Sequence, residues 1–392
     1  MPTFPPPSED RLGAMKLDFP SATGLPDVPV SRRLGLRQAA GRLVGSAEPR
    51  LSPLSPLLRE SAAAARALVS ESRLRRDVEA LAEPRSRRFA AVEMEQAEAF
   101  VAATFREAGW KTESQPFVFT DVVGLYDPPE EAPGDWHVTY DRLEGANVLA
   151  RRAGKRGRRA FLVGAHLDTV HGSPGADDNA SGVAAVLELA RMLGRWAFED
   201  DLLLAAFDME ELGGFGARAL GARLAHELDL AGVIVFESIG YTSTAPASQS
   251  LPPAIGVLYP AQVGRIRRRG RTGDWTLVIF RESSRPIACA VAESLAAVAG
   301  REAVIAVRDP VDLPVGGLVG RVAPWVGDFA RSDHSEFWKL GVPAIQVTDT
   351  ANFRNPNYHR PTDTPETLDY ARIADVVAAT ATALVGLAHG AS

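Results

Sequence analysis

Side chains able to hold a cation or move a proton concentrate in five stretches: His166-Leu-Asp168, Gly175-Ala-Asp-Asp-Asn179, Asp208-Met-Glu-Glu211, Glu237 and Tyr358-His359. Imidazole nitrogen and carboxylate oxygen are donors that zinc accepts as readily as thiolate. Thiolate is not an option here, because Cys289 is the single cysteine, and the same count excludes a disulfide framework. Any metal must rest on His and acidic residues. Taken one at a time, these residues also have ordinary uses. Asp177 or Asp178 can cap a following helix by accepting its free N–H groups. Glu210-Glu211 can be a solvated turn, and a loop histidine can be plain polar surface.

The elements that carry these residues decide between the two uses. Arg159–His166 is an apolar run of buried-strand length, and Asp201–Phe207 is a second. Gly232–Phe236, Trp275–Phe280, Ala303–Val307 and Val342–Val347 are further strands. Helices are expected over Leu57–Leu81, Val92–Ala108, Ala180–Leu193, Gly214–Ala225 and Tyr370–Ala388. Strands alternating with helices predict an α/β fold, a mixed, largely parallel sheet flanked by helices on both faces. Ligands bind such sheets outside the carboxyl ends of the strands. Three predicted strands end at His166, at Asp208–Glu211 and at Glu237, and a fourth leads into the loop with Tyr358-His359. One shared edge therefore predicts a metal site rather than scattered polar surface.

At 392 residues and 46% hydrophobic content the chain can form one large domain with a sizeable core. Residues 1–55 read as a flexible Pro-rich N-terminal extension, because each proline removes a donor and fixes φ. Residues 56–392 read as a single catalytic domain that begins with helices. A net charge of −6 leaves no electrostatic footprint for nucleic acid or an anionic membrane. Met1 to Gly45 holds no apolar run of signal-peptide length, nor does any stretch reach the roughly 20 apolar residues of a membrane span. The expected location is cytoplasmic.

The sequence resembles the zinc-dependent exopeptidases that include bacterial leucyl aminopeptidases and glutamate carboxypeptidase, a di-zinc metallopeptidase family of phosphorylase/hydrolase-like architecture. The stretches that carry the resemblance are Gly164-Ala-His-Leu-Asp168, Gly175-Ala-Asp-Asp-Asn-Ala-Ser-Gly182, Phe207-Asp-Met-Glu-Glu211, Ser332-Asp-His334 and Tyr358-His-Arg-Pro-Thr-Asp-Thr364. They run in the family's order over residues from about 85 to 390.

The resemblance implies two Zn2+ ions per chain and a peptide substrate cut at its terminal bond. By it, His166 and Glu237 bind one zinc, Glu211 and His359 the other, and Asp178 bridges the pair. A shared carboxylate is what two cations roughly 3.5 Å apart require. Asp168 would accept the other ring N–H of His166 and fix its tautomer. Glu210, beside a ligand, would be the general base on the attacking water. Tyr358 is a candidate donor to the developing oxyanion. Two departures stand out. Glu237 occupies a place where relatives more often have Asp, and Phe329 stands where the aminopeptidase branch has a Tyr. The resemblance favours an aminopeptidase. Its alternatives are a carboxypeptidase or deacylase, a glutaminyl-cyclase-like acyltransferase typically working with one zinc, or a non-catalytic binding protein.

Other features are set aside. Ser332-Asp333-His334 spells a serine-hydrolase triad, but neighbours in one loop cannot converge on one nucleophile, and no G-x-S-x-G elbow exists. Asp333 and His334 are read as groups that order the loop or support ligands. Gly213-Gly-Phe-Gly216 lacks the spacing of a dinucleotide loop. Arg265 to Arg271 reads as a solvated loop.

Overall fold

The computed structural model describes residues 51–126, 136–253, 255–313 and 324–388. Most of the expected Pro-rich extension lies outside these residues. Leu51 and Leu54 pack on the core, and the Ser52 N–H donates to Glu293 at 2.6 Å.

The strands are β1 Lys111–Tyr126, β2 Trp136–Arg152, β3 Arg159–His166, β4 Asp201–Phe207, β5 Asp229–Glu237, β6 Thr276–Phe280, β7 Val304–Arg308 and β8 Ala344–Thr348. The helices used below are α1 Pro56–Leu68, α2 Glu71–Leu81, α3 Ala91–Glu107, α4 Gly182–Leu193, α5 Phe215–Glu227, α6 Pro260–Arg268, α7 Arg285–Ala299, α8 His334–Lys339 and α9 Tyr370–Ala388. All eight strands join one sheet in the order β1-β2-β4-β3-β5-β8-β6-β7. The central strands β4, β3, β5 and β8 are parallel neighbours. β1, β2 and β4 pair antiparallel, as do β8 and β6, while β6 and β7 are parallel.

The central strands read as continuous apolar runs because both faces are covered. Phe161, Val163, Leu202, Leu204, Ile234 and Phe236 enter one core with α2, α3, α4, α7 and α9. Their alternates Leu162, Leu203, Val233 and Val235 enter the other, with α5, α6 and α8. From β3 the chain passes through α4 to β4 on one side, then through α5 to β5 on the other. This reversal opens a crevice at the carboxyl end of β3, the place where open α/β sheets bind ligands.

The expected helix over Leu57–Leu81 is two helices, since the Ser70 hydroxyl accepts the Arg73 N–H and starts α2 afresh. The stretch read as a solvated loop at Arg265–Arg271 is corrected: its first part is the end of α6, where Arg265 donates to the Val304 carbonyl at 2.6 Å. The expectation that no stretch reaches the length of a membrane span is corrected at α9, which is long and apolar enough to cross a membrane, but most of it is buried, and it packs against α7, α1, α4 and α2.

Candidate metal centre

β3 ends on His166, which is fully buried. Its Nε2 lies 3.1 Å from Asp178 Oδ1 and 3.4 Å from Glu237 Oε2. The other Asp178 oxygen, Oδ2, lies 3.0 Å from His359 Nε2, which is 3.4 Å from Glu211 Oε2. Two clusters result, His166–Asp178–Glu237 and Asp178–Glu211–His359, with Asp178 common to both. Glu210 also comes within reach of His166 and Glu211.

These side chains fit zinc by their orphaned atoms as well as by donor type. Asp178 Oδ2, Glu211 Oε1 and His359 Nε2 are buried without a hydrogen-bond partner. Oδ2 and Nε2 are close enough to bond but not aligned for it, which is how ligands to a common cation are placed. A buried polar atom left unpaired costs on the order of 1–3 kcal/mol, more when charged. Imidazole and carboxylate together are a zinc donor set.

The electrostatics follow from crowding. Burial pushes the Glu211 carboxyl up to about 7, against the pull of His359. Burial also raises Glu210 well above the ordinary carboxylate range, opposed by His166 and reinforced by Glu237, Glu211 and Asp333. Burial alone would lower His359, but Glu211 and Asp178 outweigh it and raise the ring to about 10. A protonated imidazole here is one cation answering a surplus of acids, and a metal ion answers it better.

The backbone is bent to present the ligands. Met209, Ser238 and His359 take left-handed φ values of 56°, 48° and 59°. Such conformations cost a non-glycine residue roughly 1 kcal/mol or more and gather at functional sites. Asp363 accepts the N–H groups of Asp177 and Asp178, fixing the loop that carries the shared carboxylate. Asp177 caps no helix: its oxygens accept from the Gly240 N–H and the Asn355 amide, both at 2.8 Å. The Asp168 carboxylate makes other bonds than the one expected of it. It accepts the N–H groups of both Glu210 and Glu211 at 3.0 and 3.1 Å, with Oδ1 3.5 Å from His166 Nδ1. His166 Nδ1 is closer to the Asp168 carbonyl oxygen, at 3.1 Å.

Glu237 faces His166, and its Oε2 accepts the Ser332 hydroxyl at 2.8 Å. Arg331, a conceivable salt-bridge partner for it, lies instead 3.6 Å from Asp328. Tyr358 stacks on the His359 ring with centroids 3.8 Å apart, and burial pushes its phenol well above the ordinary value, so it stays protonated. Phe329 is buried and stacks on Tyr259 at 5.9 Å, a packing residue. Asp333, read as a group that orders the loop or supports ligands, is fully buried and neither carboxylate oxygen has a hydrogen-bond partner. Asp363 was missed as the clamp on Asp177 and Asp178; its only signal was its place in the Tyr358–Thr364 stretch.

On this fold, one sheet edge brings together imidazoles and carboxylates that could hold metal ions. The chain belongs to peptidase family M28, whose family model matches residues 147–265 and 297–384, more than half of it. It is 34% identical over 229 residues to the Escherichia coli (strain K12) protein YfbL, covering 55% of this chain and 64% of that one. It is 42% identical over 77 residues to a probable lipoprotein aminopeptidase, LpqL, of Mycobacterium tuberculosis, covering 19% of this chain and 15% of that one. The chain thus spans less than two thirds of the length of these relatives. Among solved structures, an aminopeptidase from Aneurinibacillus sp. strain AM-1 has a TM-score of 0.58 at 16% identity, with 81% of this chain and 94% of that one covered. A Porphyromonas gingivalis glutaminyl cyclase has a TM-score of 0.51 at 18% identity, with 80% and 96% covered. At these identities the structural likeness is one of fold.

Proposed function

We propose that the protein is a zinc-dependent exopeptidase, an aminopeptidase, that works with two zinc ions. The observation that carries this reading is Asp178, turned to His166 with one oxygen and to His359 with the other at 3.1 and 3.0 Å, while Glu237 and Glu211 complete the two sides. In this reading His166, Asp178 and Glu237 hold one ion, and Asp178, Glu211 and His359 the second. The ions supply Lewis-acid activation of water and of the scissile carbonyl. Glu210 is the general base. Its backbone is fixed by Asp168, and its raised basicity suits a group that takes a proton from water and returns it to the leaving amine. Tyr358 donates its hydroxyl proton to the oxyanion as a hydrogen bond.

The preference for an aminopeptidase over a carboxypeptidase is supported by the relatives named as aminopeptidases. A glutaminyl-cyclase reading leaves the His166–Glu237 side without a task.

Metal analysis of the purified chain, then a screen of aminoacyl-anilides, dipeptides and N-blocked peptides, tests all of this. Two zinc ions per chain, cleavage of unblocked substrates and loss of activity with a chelator, restored by zinc, are expected. Undiminished cleavage by metal-free protein overturns the metallopeptidase reading, and preference for N-blocked peptides overturns the aminopeptidase one. We further propose a cytoplasmic location, the one expected from the sequence; two relatives are named as a vacuolar membrane protease and a lipoprotein aminopeptidase, so recovery of the protein in the membrane or exported fraction on cell fractionation overturns it.

A further inference from the structure

Just after α2 the chain runs Glu83-Pro84-Arg85-Ser86, outside the segments that match the family model. Arg85 is 1% exposed, the bulkiest fully buried side chain among the described residues. Its hydrogen bonds are an unusual set, because every acceptor of its guanidinium is a backbone carbonyl. Nε donates to Leu167 at 2.7 Å, Nη1 to Pro174 at 3.0 Å and Glu83 at 2.7 Å, and Nη2 to Gly175 at 3.2 Å. Nη1 also meets the Leu81 carbonyl at the end of α2. The backbone joins in: the Arg85 N–H donates to Thr169 Oγ1 at 2.9 Å, and the Thr169 N–H to the Arg85 carbonyl at 2.8 Å.

The places of those carbonyls matter. Leu167 sits between His166 and Asp168, and Pro174-Gly175 opens the loop that carries Asp178. A single guanidinium therefore ties the strand end holding His166 to the loop holding Asp178, and both to α2. From the other side Asp363 takes the N–H groups of Asp177 and Asp178, so the loop is gripped between a buried cation and a buried acid. The junction has no slack. Gly175 has φ +61°, and a Cβ there would come within 2.3 Å of Thr169 Cγ2 and 3.2 Å of Arg85 Nη2. Burial pulls the Arg85 guanidinium down to about 10, and Asp168, Asp363 and Asp178 oppose that, so it stays charged at neutral pH.

We propose that Arg85 is a positioning residue of the metal centre, holding the His166 strand end and the Asp178 loop at the spacing that the metal ions need. Arg85 touches neither metal ligand atoms nor substrate. Its effect is to remove the freedom of the two backbones that carry the ligands, so that little ordering is left to be done on binding. This inference rests on the metal-centre reading above.

The test compares metal affinity with fold stability, since a purely structural arginine would affect only the second. Full-length wild type, Arg85→Lys, Arg85→Gln, Thr169→Val and Arg73→Gln are stripped of metal, and each is titrated with zinc against a chelating dye and melted without metal. Arg73 is the control: it binds Glu188 and ties α2 to α4 but contacts neither ligand segment. Weakened groups that support metal ligands typically cost 10–100-fold in affinity. Expected are zinc affinity about tenfold or more weaker in Arg85→Gln, a smaller loss in Arg85→Lys and Thr169→Val, and none in Arg73→Gln despite a lower melting temperature. If Arg85→Gln does not fold, Arg85→Lys and Thr169→Val decide the matter. Zinc binding as tight as wild type in the folded Arg85 and Thr169 variants overturns the inference alone. A wild-type chain that takes up no zinc overturns the metal-centre reading with it.

Discussion

Glu237 reaches His166 Nε2 at 3.4 Å with the same Oε2 that accepts the Ser332 hydroxyl. The extra methylene relative to the commoner Asp is thus accommodated by a hydrogen bond that steers the carboxylate back to the imidazole. Burial raises this carboxyl against the pull of His166, so without a cation the pair is costly. Glu237→Ala should leave the His166 side with too few ligands while Asp178, Glu211 and His359 stay complete. A folded protein with about one zinc per chain and much weaker catalysis is expected, since half of the two-metal clamp is gone. Two tightly held ions in this variant would take Glu237 out of the site.

Glu210 and Glu211 are adjacent, yet they have different tasks in the proposed mechanism. Both N–H groups are held by Asp168, so the backbone is fixed and each side chain can be changed without moving the other. Glu210→Gln should keep its metal and lower kcat by at least about 10²-fold, the low end of what a positioned base contributes. Full activity in the metallated variant would end the general-base role.

Tyr358 lies flat on its neighbour His359, with an interplanar angle of 16°. Packing and proton donation are separable here, because Tyr358→Phe keeps the ring and removes only the hydroxyl. If the hydroxyl stabilises the oxyanion, kcat should fall about 10²-fold or more with zinc content unchanged, the scale seen for a lost oxyanion donor. A loss of zinc without such a fall in kcat per bound metal would reduce Tyr358 to a packing residue.

How far the sequence carried depended on the kind of signal. β3 and β4 were legible to the residue, because strands covered on both faces are unbroken apolar runs. The residues of the candidate metal site could be picked out because strand-end acids and histidines have few other reasons to gather. β1 and β2 were not read at all. β1 is an edge strand containing Pro116, with Lys111, Glu113 and Asp121 interrupting its apolar residues, and nothing local betrays its pairing to β2. Arg85 and Asp363 were equally invisible. Their importance lies in contacts to segments 80 to 190 residues away, such as Arg85 with Leu167 and Asp363 with Asp177. Spacing along the chain does not encode such contacts.

His334 offers a prediction about stability that is independent of the metal. It opens α8, is fully buried, lies edge-on to Trp338 at 4.4 Å, and its Nε2 lies 2.9 Å from the Phe329 carbonyl while Nδ1 has no partner. Burial drives the ring down to about 3 from an unfolded value of 6.5, with the Phe329 carbonyl opposing and Arg281 and Lys339 adding. The folded state therefore refuses a proton that the unfolded chain accepts. Stability from this group is complete above about pH 6.5 and falls as the pH drops toward 3, by about 1.4 kcal/mol per unit. His334→Gln keeps a polar side chain but cannot titrate. In urea unfolding at pH 7.5 and pH 5, wild type should lose about 2 kcal/mol more than this variant between the two conditions. Equal losses in the two proteins would mean that His334 is free to take up a proton in the folded state.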